Sequence, residues 1–202
     1  MQTGFVLRDV ASPHLRAPVQ ESSDEALINR IAAGDKRAMQ VLYGRHSVRV
    51  YRFILRLTGN QSLAEDLLSE VFLDVWRQAE GFEAKSQVST WLLAIARYKA
   101  LSALRRRVDE PLDEQMAATI EDTAESPETA VYMKDRNTIV QKCLRQLSPA
   151  HREVIDLVYY HEKSVDEVAR IVGVPPATVK TRMFYARSKM ADLLRQSGVS
   201  AP

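Results

Sequence analysis

Residues 164–195 read SVDEVARIVGVPPATVKTRMFYARSKMADLLR, and the punctuation of this stretch decides the fold. Ser164 and Glu167 stand three apart ahead of an apolar run, a capping box that satisfies two backbone donors at a helix start. The helix expected from Val165 to Val172 buries Val168, Ile171 and Val172, and Gly173 breaks it. Pro176 suits the first position of the next helix, where no backbone N–H is needed. From Ala177 to Leu194 the residues Val179, Met183, Ala186, Met190 and Leu193 recur at helical spacing along one face. A short helix, a tight turn containing glycine and a longer helix have the dimensions of a helix-turn-helix.

What the second of these helices exposes bears on function. Thr178, Lys180, Thr181, Arg182 and Tyr185 fall away from the core positions and can donate to base edges and phosphates. Five basic residues and one acid lie between Pro176 and Arg195. The plain alternative is a solvated helix in a bundle, because the same geometry occurs in folds that never meet DNA.

Upstream, a helix from about Thr129 to Arg145 ends before Leu147-Ser148-Pro149, where Ser148 caps and Pro149 opens a helix carrying Val154, Ile155, Leu157 and Val158. Before that the character of the chain changes. Residues 108–130 hold eight acids and neither Lys nor Arg, with too few apolar side chains to repay the entropy of ordering. They read as a flexible acidic linker. Residues 1–22 carry Pro13 and Pro18 without helical spacing and read as a disordered arm.

Between arm and linker, a four-helix domain is expected. A short helix runs from Asp24 to Ala33. Met39, Leu42, Tyr43, His46, Val50, Phe53, Ile54 and Leu57 mark the next, with Asp35 as its cap and Gly59-Asn60 as its stop. A capping box of Ser62 and Glu65 opens a third, striped by Leu67, Leu68, Val71, Phe72, Val75 and Trp76. After a loop from Ala79 to Gln87, a fourth runs from about Ser89 to Arg107. No segment alternates as a strand does, so the fold class is all-α: two small helical domains joined by an acidic flexible linker.

The whole chain excludes much else. Its 202 residues can bury a core without staples, and 28 Lys+Arg against 26 Asp+Glu leave a balance too small to name a partner. Cys143 is the single cysteine, which rules out an intrachain disulfide, fits a reduced cytoplasmic compartment, and reads as a half-buried small apolar residue rather than a redox sensor. The longest apolar run, Trp91 to Ala96, is far below the ~20 residues a bilayer requires, so membrane insertion is not expected. His14, His46, His151 and His161 show no metal-ligand spacing, and no glycine frame cradles phosphate. The expectation is a protein with no catalytic constellation, no metal and no cofactor.

Two further surfaces remain. Arg97, Lys99, Arg105, Arg106 and Arg107 give the fourth helix five cations and no acid, beside Trp91, Tyr98 and a loop holding Phe82, Lys85, Ser86 and Gln87. Cations interleaved with aromatics suit separated nucleic-acid strands, although a basic helix end also suits the helix dipole. Trp76 belongs to the core; Trp91 is open between core packing and base stacking. On the third helix Glu65, Asp66, Ser69, Glu70 and Asp74 line the side opposite the apolar stripe, either a solvated face or one that meets a basic partner.

Three motifs then become recognisable together: Ala64-Glu65-Asp66-Leu67-Leu68-Ser69-Glu70-Val71-Phe72-Leu73-Asp74-Val75-Trp76, next Thr90-Trp91-Leu92 through Ala96-Arg97 to Arg105-Arg106-Arg107, and finally Thr178-Val179-Lys180-Thr181-Arg182 through Ala186-Arg187. In this order and at these separations the chain resembles the extracytoplasmic-function (ECF) group of bacterial sigma factors. The resemblance implies region 2 over residues 23–107, the linker over 108–130 and region 4 over 131–196, with the arm over 1–22 outside it.

It also implies roles. Asp66, Ser69, Glu70 and Asp74 correspond to the helix that docks on the clamp helices of the RNA polymerase core, with Ser69 where many members carry Gln. Phe82, Lys85, Ser86, Trp91, Arg97, Tyr98, Lys99, Ser102, Arg105 and Arg106 correspond to the surface that captures a flipped base of the −10 element and holds the non-template strand. Tyr98 and Ser102 depart from the family's usual residues, so its −10 base preference does not transfer. Thr178, Lys180, Thr181, Arg182, Phe184, Tyr185 and Arg187 correspond to the segment reading the −35 element, with Phe184 open between core and DNA. The linker corresponds to one that enters the polymerase channel, or is a soluble spacer. An anti-sigma partner and a stress-responsive role complete what the family implies. A response-regulator-type activator lacks its receiver strands here, and a decoy would have lost the basic residues that both helices keep.

Overall fold

The computed structural model describes residues 22–109 and 130–197, and among these every regular element is helical. The arm and nearly all of the expected linker lie outside the described residues. The first domain consists of α1 (Asp24–Ala32), α2 (Lys36–Thr58), α3 (Gln61–Gln78) and α4 (Val88–Asp109), with one 3-10 turn at Ala79–Gly81 after α3.

Capping sets these boundaries. Asp35 accepts from the N–H of Arg37 at 2.8 Å and of Ala38 at 3.2 Å, opening α2 as its sequence foretells; such a cap stabilises a helix by about 1 kcal/mol. The Arg30 guanidinium, 2.7 Å from the same carboxylate, together with these N–H groups holds Asp35 below its ordinary range. Gly59 closes α2 at φ 65°, a conformation a side chain would strain. At α3 the expectation fails: the cap is Asn60, whose side chain accepts from the Leu63 N–H at 2.8 Å, and no capping box forms between Ser62 and Glu65. Asparagine caps as well as serine, and Gly59 delivers Asn60 in extended backbone, so the helix begins before Ser62 is reached. Glu65 instead receives a hydrogen bond from Gln61 at 3.1 Å.

The core of this domain is Leu27, Ile28, Leu42, Phe53, Ile54, Val71, Val75 and Leu92, all within 1% of complete burial. Truncating Phe53 to alanine there costs about 3–5 kcal/mol. Two positions of the expected α2 stripe face otherwise. Tyr43 is 45% exposed and lies over Phe72 at 4.7 Å between ring centroids. His46 pairs with Asp24 at 2.6 Å, tying α2 to α1 rather than packing as an apolar residue.

The second domain comprises α5 (Ala130–Arg145), α6 (Pro149–Ile155), a π-helical turn at Asp156–Tyr160, α7 (Val165–Val172) and α8 (Pro176–Gln196). Ser148 caps α6 with Pro149 behind it, as expected. Arg152 reaches back to the carbonyls of Leu144, Arg145 and Leu147 at 3.0, 2.8 and 3.2 Å, satisfying acceptors that the end of α5 leaves free. Cys143 is fully buried rather than half-buried.

The two domains touch. α4 packs on α7, and a single buried apolar cluster runs from Phe53 and Leu92 on one side to Leu157 and Val168 on the other.

Candidate nucleic-acid interface

The capping box at Ser164 forms in full, and Gly173 turns the chain at φ 73° while the N–H groups of Gly173 and Val174 both reach the Ala169 carbonyl, at 2.9 and 3.2 Å. That double closure fixes the angle at which α8 leaves α7. Val179, Met183, Ala186 and Leu193 anchor α8 in the core, with Met190 partly buried beside them. Lys180, Thr181, Phe184, Tyr185 and Arg187 are then exposed, and Thr178 and Arg182 half-buried. Phe184 is 63% exposed and meets Tyr185 edge-on at 5.5 Å, which removes it from the core. The Thr181 hydroxyl donates to the Ala177 carbonyl at 3.0 Å, leaving its oxygen as an acceptor.

On α4 the expected −10 residues divide. Tyr98, Lys99, Ser102, Arg105 and Arg106 come together around an open groove of about 400 Å³, with Glu70 of α3 on its rim. Tyr98 is 69% exposed. Lys99 sits between Glu70 at 3.1 Å and Asp74 at 2.8 Å; burial pulls its ammonium down, and the two carboxylates outweigh that and raise it. Phe82 and Trp91 pack ring on ring at 4.9 Å, each half-buried, so Trp91 supports the loop rather than presenting an open face. Lys85 is exposed and paired with Glu83; Ser86 is half-buried. Arg97 faces away from the groove. Its Nε and Nη2 donate to the two carboxylate oxygens of Glu153 at 2.6 and 3.3 Å, across the domain boundary.

The acidic face of α3 presents Asp66, Ser69 and Glu70, while Asp74 lies half-buried under Lys99. Leu73, at 46% exposure, continues this face and was not singled out in the sequence, though its place between buried Phe72 and half-buried Asp74 is out of phase with the apolar stripe. Also missed were the groups that bind the domains together: Arg56 pairs with Asp156, Thr90 donates to Glu167 at 2.6 Å, and Lys163 donates to Ser89 at 2.6 Å and Gln87 at 3.3 Å. Two acids, Glu153 in α6 and Asp156 at the start of the π-helical turn, interrupting an apolar run, were the available signal.

The described residues thus form two helical domains, one with the basic, solvent-facing side of α8 and the other with a groove on α4 lined by Tyr98, Lys99, Ser102, Arg105 and Arg106. The family model for Sigma-70 region 2 matches residues 42–109, and that for Sigma-70, region 4, matches residues 137–190. The chain is 31% identical over 180 residues to the ECF RNA polymerase sigma factor SigL of Mycobacterium tuberculosis, covering 87% of this chain and 99% of that one. SigW of Bacillus subtilis is 29% identical over 177 residues, covering 83% and 95%. Among solved structures, CnrH in complex with the cytosolic domain of CnrY shares the fold at TM-score 0.64 and 22% identity, covering 86% of this chain and 97% of that one. RpoE of Bartonella quintana, solved with the anti-sigma factor NepR, does so at TM-score 0.61 and 24% identity, covering 77% and 96%. The chain belongs to the ECF RNA polymerase sigma factors. It is an alternative sigma factor, working with the polymerase core at promoter DNA to initiate transcription.

Proposed function

We propose that the domains divide the promoter between them. In this reading residues 131–196 form the −35 reader: Lys180, Arg182 and Arg187 bring cations to the major groove, with Thr178, Thr181, Phe184 and Tyr185 offering polar and aromatic contact. Residues 23–107 form the −10 reader. The carrying observation is the α4 groove, where an exposed aromatic, Tyr98, stands beside Lys99, Arg105 and Arg106 with Ser102 between them. Stacking on such a ring contributes about 1–3 kcal/mol per base, enough to offset much of the few kcal/mol that unstacking requires. Phe82, Lys85, Ser86 and Trp91 shape the loop beside it, and Arg97 joins once its present partner is released. Asp66, Ser69, Glu70 and Asp74 meet the clamp helices of the core polymerase.

The work is binding, not covalent chemistry: the protein is no enzyme, and melting follows only when core, −35 and −10 contacts act together. No helix among the described residues is long and apolar enough to cross a membrane; with the single cysteine this supports a cytoplasmic protein. CnrH and RpoE were each solved with a partner protein, and by that likeness an anti-sigma factor restrains this chain until a stress signal arrives.

Run-off transcription with bacterial core polymerase on a pool of promoter fragments tests the reading. Discrete start sites preceded by shared −35 and −10 sequences are expected. Core binding without initiation would assign the chain an inhibitory role, and no core binding would remove the sigma role altogether.

A further inference from the structure

α2 turns to water a basic face that neither DNA-reading surface uses. The helix carries six cations, Lys36, Arg37, Arg45, Arg49, Arg52 and Arg56, and no acid. Arg45 is paired with Asp24 and Arg56 with Asp156, whereas Arg37, Arg49 and Arg52 are exposed and meet no acid among the described residues. Between them lie Val41, Gly44 and Val48, all exposed and set three and then four residues apart. That spacing draws one seam along a helix, of the kind that packs against a second helix. Glycine weakens a helix interior relative to alanine, yet no neighbouring group lies within 4 Å of where a Cβ of Gly44 would stand. Nothing in its own domain needs that space, but the close approach of another helix would.

α3 shows the reciprocal pattern. It holds four acids, Glu65, Asp66, Glu70 and Asp74, against one cation, Arg77. Ser62, Asp66, Ser69 and Leu73 are exposed at intervals of four, three and four, with Glu65 and Glu70 flanking them. Lys99 engages Glu70 and Asp74, while Glu65 and Asp66 meet no cation among the described residues. The two faces therefore agree in charge and in seam spacing, and each runs for about 17 Å, from Val41 to Arg52 and from Ser62 to Leu73. They cannot meet within one molecule, because α2 and α3 already pack on each other through the buried core. Two faces of like charge repel, so the fit is between α2 of one copy and α3 of another. Such a contact uses a different patch on each partner and leaves one of each kind free.

We propose that this protein associates with itself head to tail, α2 of one copy seated on the acidic face of α3 of the next. A face of about 17 by 10 Å is small beside the roughly 600 Å² per partner at which stable interfaces begin. The association is accordingly weak, concentration-dependent and screened by salt. One consequence rests on the polymerase-docking reading above: Asp66, Ser69 and Glu70 would serve both contacts, so core polymerase and a second copy compete for them.

Sedimentation equilibrium of the full chain tests the contact. In low salt the average mass of the wild type is expected to climb with concentration past that of two chains, and in high salt to fall back to one. Arg52→Glu reverses a charge on the α2 face and Asp66→Lys one on the α3 face. Each alone is expected to associate roughly tenfold more weakly or worse, because it sets like charges opposite each other. Mixed in equal amounts, the two variants are expected to pair, since one keeps an intact α3 face and the other an intact α2 face. Both sites are exposed and contribute little to folding; Arg52→Gln and Asp66→Asn are the milder pair should either not fold. A wild type that stays a single chain at every concentration overturns the proposal, as does assembly that survives both substitutions or a mixture that stays unpaired. Added core polymerase separates the two ideas. Dispersal of the assemblies to one chain per core supports both. Assemblies that bind core without dispersing keep the head-to-tail contact and take the docking role from α3, whereas a single-chain wild type that binds core removes the contact alone.

Discussion

The hydroxyl of Thr90, in the first turn of α4, donates to Oε1 of Glu167 at 2.6 Å and joins the two domains. Burial alone raises the Glu167 carboxyl, but the hydrogen bonds from Thr90 and from the N–H and hydroxyl of Ser164, with the Lys163 charge, outweigh it and bring it from 4.5 down to about 2. A carboxylate whose folded value is depressed stabilises the fold above its unfolded value, and that contribution is lost as pH falls. The urea midpoint followed by tryptophan fluorescence should therefore decline from pH 4.5 toward pH 2. Glu167→Gln should start lower at neutral pH and decline less steeply; a parallel decline would detach Glu167 from the effect.

On α8, Lys180 is exposed and Arg182 half-buried, in the first two turns past Pro176. Lys180→Ala is expected to weaken promoter duplex binding at all sequences and lower the salt slope by about one unit, as loss of one phosphate contact does. Arg182→Ala is expected to cost about 1–3 kcal/mol on the preferred −35 sequence and less on others, the signature of a base contact. Binding titrations at several salt concentrations check both, and unchanged binding in both variants would take the recognition role away from α8.

The helix-turn-helix was legible because its signals are local: a capping box whose two members stand three residues apart, a glycine at φ 73° and a proline at the next helix start. Asn60 shows the limit of the same reasoning, since two good caps stood within three residues and only the backbone delivered by Gly59 chooses between them. Phase errors of one residue matter equally. Met183 is buried and Phe184 exposed, which periodicity ranks but an even weighing of Phe184 left open. The domain contact was not legible, because Arg97 and Glu153 lie 56 residues apart and Arg56 and Asp156 100 apart. No spacing rule reaches that far, so the assigned −10 cation Arg97 could not be seen to face a carboxylate instead of the groove.

Glu70 lies on the exposed face of α3 with Asp66 and Ser69, and its carboxylate also reaches Lys99 at 3.1 Å. Glu70→Lys reverses charge on the face assigned to the polymerase clamp and sets a second cation beside Lys99. Loss of co-purification with core polymerase is expected while the helical circular dichroism stays unchanged, because an exposed position contributes little to folding. Asp74 remains to hold Lys99 at 2.8 Å. Retained core binding by Glu70→Lys would move the docking surface off this part of α3.

Tyr98 projects from α4 with 69% of its surface exposed, at the edge of a groove whose other groups are Lys99, Ser102, Arg105, Arg106 and Glu70. An aromatic ring left in water so close to three cations has the makings of a stacking platform for an unpaired base. Tyr98→Ala should weaken binding of single-stranded −10 DNA by about 1–3 kcal/mol, roughly 5- to 150-fold, while Tyr98→Phe keeps most of it because the ring, not the hydroxyl, stacks. Duplex −35 binding and core association should not change, since neither surface includes this ring. The decisive comparison is between templates. On an ordinary duplex the stack helps offset a few kcal/mol of unstacking, whereas a template already mismatched across the −10 region needs no such offset. The Tyr98→Ala defect in run-off transcription should therefore shrink on the mismatched template. An equal defect on both would mean that Tyr98 acts after strand separation, and no defect on either would move base capture elsewhere on α4.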